Sequence, residues 1–365
     1  MPFLSLRTSG FRNLADTESD IRGKDVFLIG ENGQGKTNFL EALYFCSYAS
    51  SFRGVRDSEL VRTGEKDCSV SVALGGSLYD RILVKVENNK KTVEIDGKRT
   101  EDRKDLLSVA PCIVFCHDDM EFVSGSPERR RWFFDQCQSL YDPVYLDDLR
   151  KYRRVLKTRN AVLKEDRGFS GSSRSAVLPL LDTLDPQLAA YGLRIMQKRE
   201  ESARYFSEIF SPLYEEVSGI GGIAIRYVPS WKGETAAGVE AFLTERREGD
   251  ISSGTSLYGP HRDRYSFTCG SMEFAGKAST GQRRLLALLL RIAEARRFSQ
   301  MDGKNPILLL DDVLLELDPQ KRRKFLSVMP DYDQAFYTFL PEERIDRYNK
   351  PDTLVYTVSA GCLLK

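Results

Sequence analysis

Eight residues, Gly30-Glu31-Asn32-Gly33-Gln34-Gly35-Lys36-Thr37, constrain this chain more than any other stretch. They satisfy G-x-x-x-x-G-K-[ST], the phosphate-binding P-loop, and the flanks have the form that the motif requires. An apolar run, Val26-Phe27-Leu28-Ile29, leads in, and Phe39, Leu40, Leu43 and Tyr44 follow at helical spacing. Strand, glycine loop and helix in that order point to an α/β fold. Glycines let successive backbone N–H groups curl around phosphate oxygens, and the helix N-terminus adds its partial positive charge. In such a loop Lys36 reaches the β and γ oxygens, and the Thr37 hydroxyl ligates Mg²⁺. ATP and Mg²⁺ are therefore the expected cofactors. The bland alternative is a glycine turn ahead of an ordinary helix, and the apolar run before Gly30 argues against it.

Composition narrows the rest only a little. A length of 365 residues allows two or three domains with an ample core. Lys+Arg number 54 against 53 Asp+Glu, so any surface for a polyanion has to be a local patch. No apolar run approaches a membrane span, and Arg7 comes too early for a signal peptide, so no membrane association is expected. The odd count of 7 cysteines, without paired spacing, fits a reducing cytoplasm. Cys112 and Cys116 precede His117, but the only other histidine is His261, so buried thiols are preferred to a metal site.

Strand patterns occupy residues 3–11 and 26–29, then Val70–Leu74, Ile82–Val86 and Val93–Ile95 before the Asp96-Gly97 turn, with a short buried run at Ile113–Cys116. From Pro127 the sequence turns charged and helical, with Tyr145, Leu149, Tyr152, Leu156 and Leu163 forming a stripe. A polar loop at Gly168–Ser175 separates this from a second helical stretch running from about Pro186 to Val217. Two antiparallel helices of about 30 residues each would make an arm of roughly 40 Å. Strand patterns resume at Ile223–Val228 and in a hairpin at Tyr265–Phe274. An amphipathic helix, a strand at Pro306–Leu310 and final strands near 335–339 and 354–358 complete the chain. The expected organisation is a head of residues 1–125 and 255–365, with a helix over 279–298 at the junction, and a mostly helical arm lobe of residues 126–254.

The second half of a nucleotide site is also readable. Ile307-Leu308-Leu309-Leu310-Asp311-Asp312 is an apolar strand ending in two carboxylates, the form of a Walker B segment. Asp311 is the expected Mg²⁺ ligand, and Asp312 stands where a base orients the attacking water. The bland reading, a buried strand with acids at its solvent end, weakens once the P-loop is taken into account. Asp311 lies 275 residues beyond Lys36, so something is inserted between the two halves. Upstream of the strand, Ser279-Thr280-Gly281-Gln282 opens a helix, placing a hydroxyl and free N–H groups where a phosphate can bind. Together with Glu316-Leu317-Asp318 after Walker B, this is the order of an ABC-type signature motif and D-loop. The fold expected is an ABC-type P-loop ATPase head, a mixed sheet around the P-loop helix, with an inserted α-helical arm.

Further stretches are Gly10-Phe11-Arg12-Asn13-Leu14, Gly125-Ser126-Pro127-Glu128-Arg129-Arg130-Arg131 with Phe134-Asp135, and Tyr258-Gly259-Pro260-His261-Arg262-Asp263. With the P-loop, signature and Walker B segments they resemble, over nearly the whole chain, the RecF family of bacterial recombination mediators, whose heads are related to SMC proteins. The sequence departs from the usual pattern at Phe52, Thr280 and Arg264. The resemblance implies that two heads sandwich ATP, with Lys36 of one and Ser279 of the other on the same γ-phosphate. It adds Arg12, Gly281 and Gln282 to the nucleotide contacts, and places Asp118 at the Q-loop position as a further Mg²⁺ ligand. It implies an ATP-dependent homodimer on single-stranded, gapped or double-stranded DNA. RecR and RecO-like mediators are the implied partners, with RecA served indirectly, and weak DNA-stimulated ATP hydrolysis acts as a switch.

DNA contacts are expected among Arg129, Arg130 and Arg131, the run Arg150, Lys151, Arg153, Arg154, Lys157 and Arg159, and Lys321–Lys324. Of these, Arg130, Arg131, Lys151, Arg154 and Lys157 are the leading candidates, since residues so spaced on a helix can follow phosphates. The competing reading is solvated helix faces. For His261, a loop-stapling role is preferred to a catalytic one. An ABC-class transport ATPase subunit would share the nucleotide motifs but lack the helical insertion, and the arm is too short for a purely structural SMC-like tether.

Overall fold

The computed structural model describes residues 2–102, 104–166, 174–315, 317–343 and 350–365. The chain begins with β1 (Phe3–Ser9), β2 (Glu18–Asp20), β3 (Asp25–Ile29) and α1 (Lys36–Tyr48). It continues through β4 (Cys68–Leu74), β5 (Arg81–Glu87), β6 (Lys90–Ile95), β7 (Lys98–Thr100), α2 (Lys104–Leu107) and β8 (Cys112–Phe115). The middle holds α3 (Glu121–Ser124), α4 (Pro127–Tyr141), α5 (Pro143–Asp166), α6 (Arg174–Ser218), β9 (Ile223–Val228), α7 (Ala236–Ser253), β10 (Arg264–Cys269) and β11 (Met272–Glu273). Then come α8 (Thr280–Asp302), β12 (Ile307–Leu310), α9 (Pro319–Ser327), β13 (Gln334–Phe339), β14 (Thr353–Ser359) and β15 (Cys362–Leu364). Two units divide the chain: Met1–Asp119 with Arg284–Lys365, and Met120–Arg283.

In the first unit the apolar runs of β3, β8, β12 and β13 are buried almost throughout, as strands covered on both faces must be. They pair in parallel within a six-stranded sheet of order β15-β14-β3-β13-β12-β8. Ile29 lies opposite Phe339, and Leu310 opposite both Tyr337 and Phe115. This register brings the residues after β3 and β12, the P-loop and Asp311, to the same carboxyl edge, where open α/β sheets hold their ligands. The other sheet is antiparallel, of order β2-β1-β4-β5-β6-β7, and β5 shows the expected alternation with Ile82, Val84 and Val86 buried. Helix α1 is buried on nearly every side, so its apolar residues are not confined to one stripe. Gln334 is fully buried: its Oε1 accepts from Phe3 N (2.8 Å) and its Nε2 donates to Ile21 O (2.7 Å). One side chain thereby ties β1 and the β2–β3 connection to β13.

The second unit packs α5 against α6 around Tyr145, Leu149, Tyr152, Leu188, Ile195 and Trp231. Gly192 is required there, because a Cβ would come within 2.3 Å of the Trp231 ring. Two buried guanidinium hubs hold the unit together. Arg199 meets Asp135 (2.9 Å) and Asp263 (2.9 Å), and Arg159 meets Asp185 (2.7 Å) and Asp250 (2.6 Å).

Several expectations need correction. The boundaries fall after Asp119 and Arg283, not at 125/126 and 254/255. Residues 255–283 belong with the helices because Tyr265 stacks on Phe134 at 4.0 Å, and because β10 pairs with β9. The first helical stretch breaks at Asp142-Pro143, where Asp142 Oδ1 caps Tyr145 N (3.0 Å). The second begins at Arg174, twelve residues before the expected start, so Arg174 and Ser175 of the expected loop are helical, and residues 168–173 lie outside the described residues. Pro179, Pro186 and Pro212 sit inside this 45-residue helix. Each internal proline costs up to about 3 kcal/mol. The cost is offset by burying Val177, Leu181, Leu188, Ile195, Phe206 and Phe210, at about 1.5–3 kcal/mol apiece. Helix α7 was not expected at all: Thr235 caps it by accepting from Gly238 N, and Val239 and Leu243 bury its inner face.

Candidate nucleotide site and signature turn

Left-handed backbone at Gly33 (φ 81°) and Gly35 (φ 113°) forms the P-loop, with Gly35 capping α1. A Cβ on Gly33 would meet nothing within 4 Å, so the outer curve of the loop is open. Glu31, Asn32 and Gly33 are exposed, whereas Lys36 is only 4% exposed. Its ammonium donates to Gly30 O (2.6 Å) and Glu31 O (3.2 Å), the loop's own carbonyls, and among the described residues no carboxylate pairs with it. A buried ammonium held only by neutral acceptors favours an anionic one, and a phosphate oxygen fits that need.

Thr37 and Asp311 meet directly: Thr37 Oγ1 donates to Asp311 Oδ1 at 2.9 Å. Burial pushes the Asp311 carboxyl up to about 6, helped by the neighbouring Asp312 and opposed by Thr37, Arg53 and Thr338. A desolvated carboxylate beside a hydroxyl is an oxygen donor pair short of positive charge, which fits Mg²⁺. Asp312 adopts φ 54°, and Thr338 fixes it at both ends. Asp312 N donates to Thr338 Oγ1 (2.7 Å), and Thr338 Oγ1 donates to Asp312 Oδ1 (2.8 Å). Sequence reasoning missed Thr338, although it is the polar interruption next to the end of the buried β13.

Arg12, also at positive φ (48°), forms a forked pair with Glu41 at 2.9 and 3.2 Å. Glu41 is fully buried, accepts from Ser51, and lies 3.8 Å from Arg53. The guanidinium is thus anchored by a residue of α1 that sequence reasoning did not single out. A glutamate among apolar helix residues was the available signal.

Asp118 is exposed on a short 3₁₀ turn, His117–Met120, and its neighbour Asp119 is the buried one. Asp119 accepts from Arg291 (2.8 Å) and Cys116 N (3.0 Å). Among the described residues no group of three or more His, Cys, Asp or Glu side chains gathers as a metal site. Cys112 lies 2.9 Å from Ser47 Oγ, and burial pushes its thiol up to about 12, so it is an inert core thiol.

The signature turn is self-contained. Ser279 N donates to Gln282 Oε1 (2.8 Å) and Gln282 N to Ser279 Oγ (3.3 Å), a reciprocal cap. Ser279, Thr280 and Gly281 are exposed, and a Cβ on Gly281 would meet nothing within 4 Å. Tyr214 of α6 donates to Gln282 O (3.2 Å). Of the expected D-loop, Asp318 caps α9 by accepting from Lys321 N (3.0 Å), and Glu316 lies outside the described residues.

The family model described as the RecF/RecN/SMC N terminal domain matches residues 3–358. The DNA replication and repair protein RecF of Treponema pallidum (strain Nichols) is 43% identical over 353 residues, spanning 96% of this chain and 97% of that protein. The chain belongs to the RecF family. The corresponding protein of Staphylococcus carnosus (strain TM300) is 31% identical over the full length of both chains. A solved structure of the recombination mediator protein RecF with ATP, from the RecFOR pathway, superposes with a TM-score of 0.86 at 26% identity, covering 100% of this chain and 97% of that one. The Smc head domain of Pyrococcus furiosus gives 0.55 at 16% identity, covering 99% and 94%, and shares the fold. The ABC-type head expected from the motifs is therefore the fold of this chain.

Within that family fold, the basic clusters divide. Arg130 donates to Tyr265 O (3.0 Å) and Arg131 to Asp263 O (2.7 Å), and both side chains are half-buried, so each braces its own lobe. Burial and the nearby Arg199 lower the pKa of Arg131. Arg159, also in the expected run, is fully buried. Arg150 lies 3.6 Å from Asp147, Lys321 pairs with Asp318 (2.9 Å), and Arg322 with Glu343 (3.3 Å). Lys151, Arg154 and Lys157 remain exposed along α5, with Lys151 lying 5.7 Å from the Tyr191 ring centre. His261 accepts from Tyr152 Oη at Nδ1 (2.8 Å) and donates from Nε2 to Ser256 O (3.0 Å). Both nitrogens are used and burial lowers its pKa to about 4, so it staples the loop as a neutral imidazole.

Proposed function

We propose that this chain is an ATP-dependent DNA-binding protein of recombinational repair and replication. In this reading ATP joins two heads on gapped or junction DNA, the dimer assists RecR and RecO-like partners in loading RecA, and slow hydrolysis releases it. Membership of the RecF family and the likeness to a structure solved with ATP support the reading. The observation that carries it is the pairing of Thr37 with Asp311 beside a Lys36 that donates to the loop's own carbonyls, while the signature turn stays exposed with its cap satisfied internally.

In the proposed cycle Lys36 gives up Gly30 O and Glu31 O for phosphate oxygens, and Thr37 with Asp311 holds Mg²⁺. The bound cation supplies charge neutralisation for phosphoryl transfer. Asp312, held by Thr338, orients a water as base. Its side chain is one methylene shorter than the glutamate of many ABC ATPases, which fits slow turnover. Ser279 of a second molecule supplies a hydroxyl and helix N-terminus to the phosphate, so affinity between heads depends on the triphosphate. Lys151, Arg154 and Lys157 provide phosphate contacts for DNA.

The test is sedimentation of wild type and Ser279→Arg with and without Mg²⁺-ATP, together with hydrolysis measured with and without DNA. Dimerisation by ATP in wild type alone, with DNA-stimulated hydrolysis, is expected. A monomer in all conditions would overturn the ATP-joined dimer, and co-purification with a membrane partner without DNA-stimulated hydrolysis would favour the alternative of a transport ATPase subunit.

A further inference from the structure

The parallel sheet closes with a hairpin whose turn lies against the P-loop. Ala360 N donates to Gln34 Oε1 (2.7 Å), and Gly361 N donates to Gln34 O (2.9 Å). Gly361 O in turn accepts from Ala15 N (3.0 Å). Two residues before Ala15, Asn13 donates from Nδ2 to Gly33 O (3.0 Å), and its Oδ1 accepts from Asn38 (2.7 Å). The assembly has no slack. A Cβ on Gly361 would fall 2.0 Å from Asn13 O, and one on Gly30 would fall 2.5 Å from Val358 O. Ala360 holds φ 46° and Gly361 φ 78°, the left-handed turn that this approach requires.

We propose that the Ala360–Gly361 turn, with Gln34 and Asn13, is a positioning device that holds the P-loop in its phosphate-accepting curve before nucleotide arrives. The proposal rests on the nucleotide reading above. A loop with three glycines in six residues gives up much backbone freedom when it orders around a ligand. Bonds made beforehand remove part of that cost, and this raises affinity without touching the ligand. The direction also follows from peptide geometry. The peptide unit is planar and trans, so tying Gln34 O to Gly361 turns the N–H of Gly35 to the opposite side of the chain. Gln34, Asn13 and Gly361 are positioning residues, not catalytic ones.

Binding of a fluorescent ATP analogue to the full chain tests this, with thermal unfolding and hydrolysis measured alongside. Gln34→Ala, Asn13→Ala and Gly361→Ala should each weaken binding by roughly tenfold, the size of one lost hydrogen bond. The kcat of Asn13→Ala and Gly361→Ala, both outside the P-loop itself, should hold near wild type at saturating ATP. Gly97→Ala is the control, since it strains a turn at φ 75° where a Cβ meets nothing within 4 Å. It should lower Tm and leave affinity unchanged. If Gly361→Ala does not fold, the two side-chain variants decide. Folded variants that bind as tightly as wild type overturn the positioning role alone. A wild type that fails to bind ATP overturns this role together with the nucleotide reading.

Discussion

Thr37 and Asp311 stand 274 residues apart in sequence and share a 2.9 Å hydrogen bond at the carboxyl edge of the parallel sheet. The bond joins the two halves of the candidate phosphate site through neutral hydroxyl donation. Asp311 is left with little positive charge, and its carboxyl rises to about 6, principally through burial.

That rise fixes a pH dependence. The folded value lies above the ordinary 3.8, so the protonated form favours the metal-free fold at low pH. This contribution is complete below about pH 4 and is lost as pH rises through 6, a change of about 3 kcal/mol at most. Mg²⁺ needs the ionised carboxylate, so its affinity should climb between pH 5 and 7. Thermal unfolding should show a larger Mg²⁺-dependent gain in Tm at pH 7.5 than at pH 5.5. Asp311→Asn should raise the metal-free Tm at pH 7.5 and abolish the gain; a gain independent of pH would count against this account.

Thr338 offers a cleaner test of the water-orienting role proposed for Asp312. It holds Asp312 at both backbone and side chain, while Asp312 itself sits at φ 54°. Thr338→Val keeps the shape and removes the hydroxyl, leaving the Asp312 N–H without that partner. Hydrolysis should fall by up to about 100-fold, the cost of misplacing a reacting group by about 1 Å, with ATP affinity within a few-fold of wild type. Asp312→Asn should fall further, and Asp312→Glu should change the single-turnover rate. An Asn variant as fast as wild type would remove Asp312 from the role of base.

The strand–loop–helix around Gly30 to Thr37 and the strand before Asp311 were legible because they are local. Gly30 to Thr37 must be contiguous to cradle phosphates, and Ile307–Asp312 had to be an uninterrupted apolar strand to lie in the middle of a parallel sheet. What escaped was long-range. Thr338, Glu41 and the Ala360–Gly361 turn reach the site only through the register of β13, the burial of α1 and the pairing of β14 with β15. None carries a spacing signature. The start of α6 was misplaced because Pro186 reads as a helix opener, and packing against α5 and α7 overrode that local preference. The basic residues have contacts that their spacing does not announce either: Arg130 and Arg131 bond to backbone carbonyls, and Arg159 pairs with a buried carboxylate.

His261 yields a second pH effect, of opposite sign to that of Asp311. Its folded value, about 4, lies below the ordinary 6.5 because burial disfavours the cation. The stability it contributes is present above pH 6.5 and is lost as pH falls toward 4, by about 3 kcal/mol over the whole range. Acid unfolding of wild type should therefore steepen between pH 6.5 and 4, and His261→Gln should lose that component. Hydrolysis between pH 6.5 and 8 should show no inflection from His261, because a neutral imidazole with both nitrogens engaged has no proton to exchange. NMR titration of the ring with an ordinary pKa near 6.5 would contradict this.

The division of the basic residues is testable by salt. Lys151, Arg154 and Lys157 are exposed on α5, whereas Arg130 and Arg131 bond to Tyr265 O and Asp263 O. If the first group contacts phosphates, replacing all three by alanine should flatten the logarithmic salt dependence of duplex binding by about 2–3, since each neutralised phosphate contributes about 0.9. Affinity should fall with little change in sequence preference. Arg130→Ala and Arg131→Ala should act differently, lowering the unfolding free energy through their lost carbonyl contacts by about 1–3 kcal/mol each and leaving the salt slope of the folded protein intact. An unchanged slope in the triple variant would move the DNA surface off α5, and a reduced slope in the Arg130 or Arg131 variant would return those side chains to the phosphate surface.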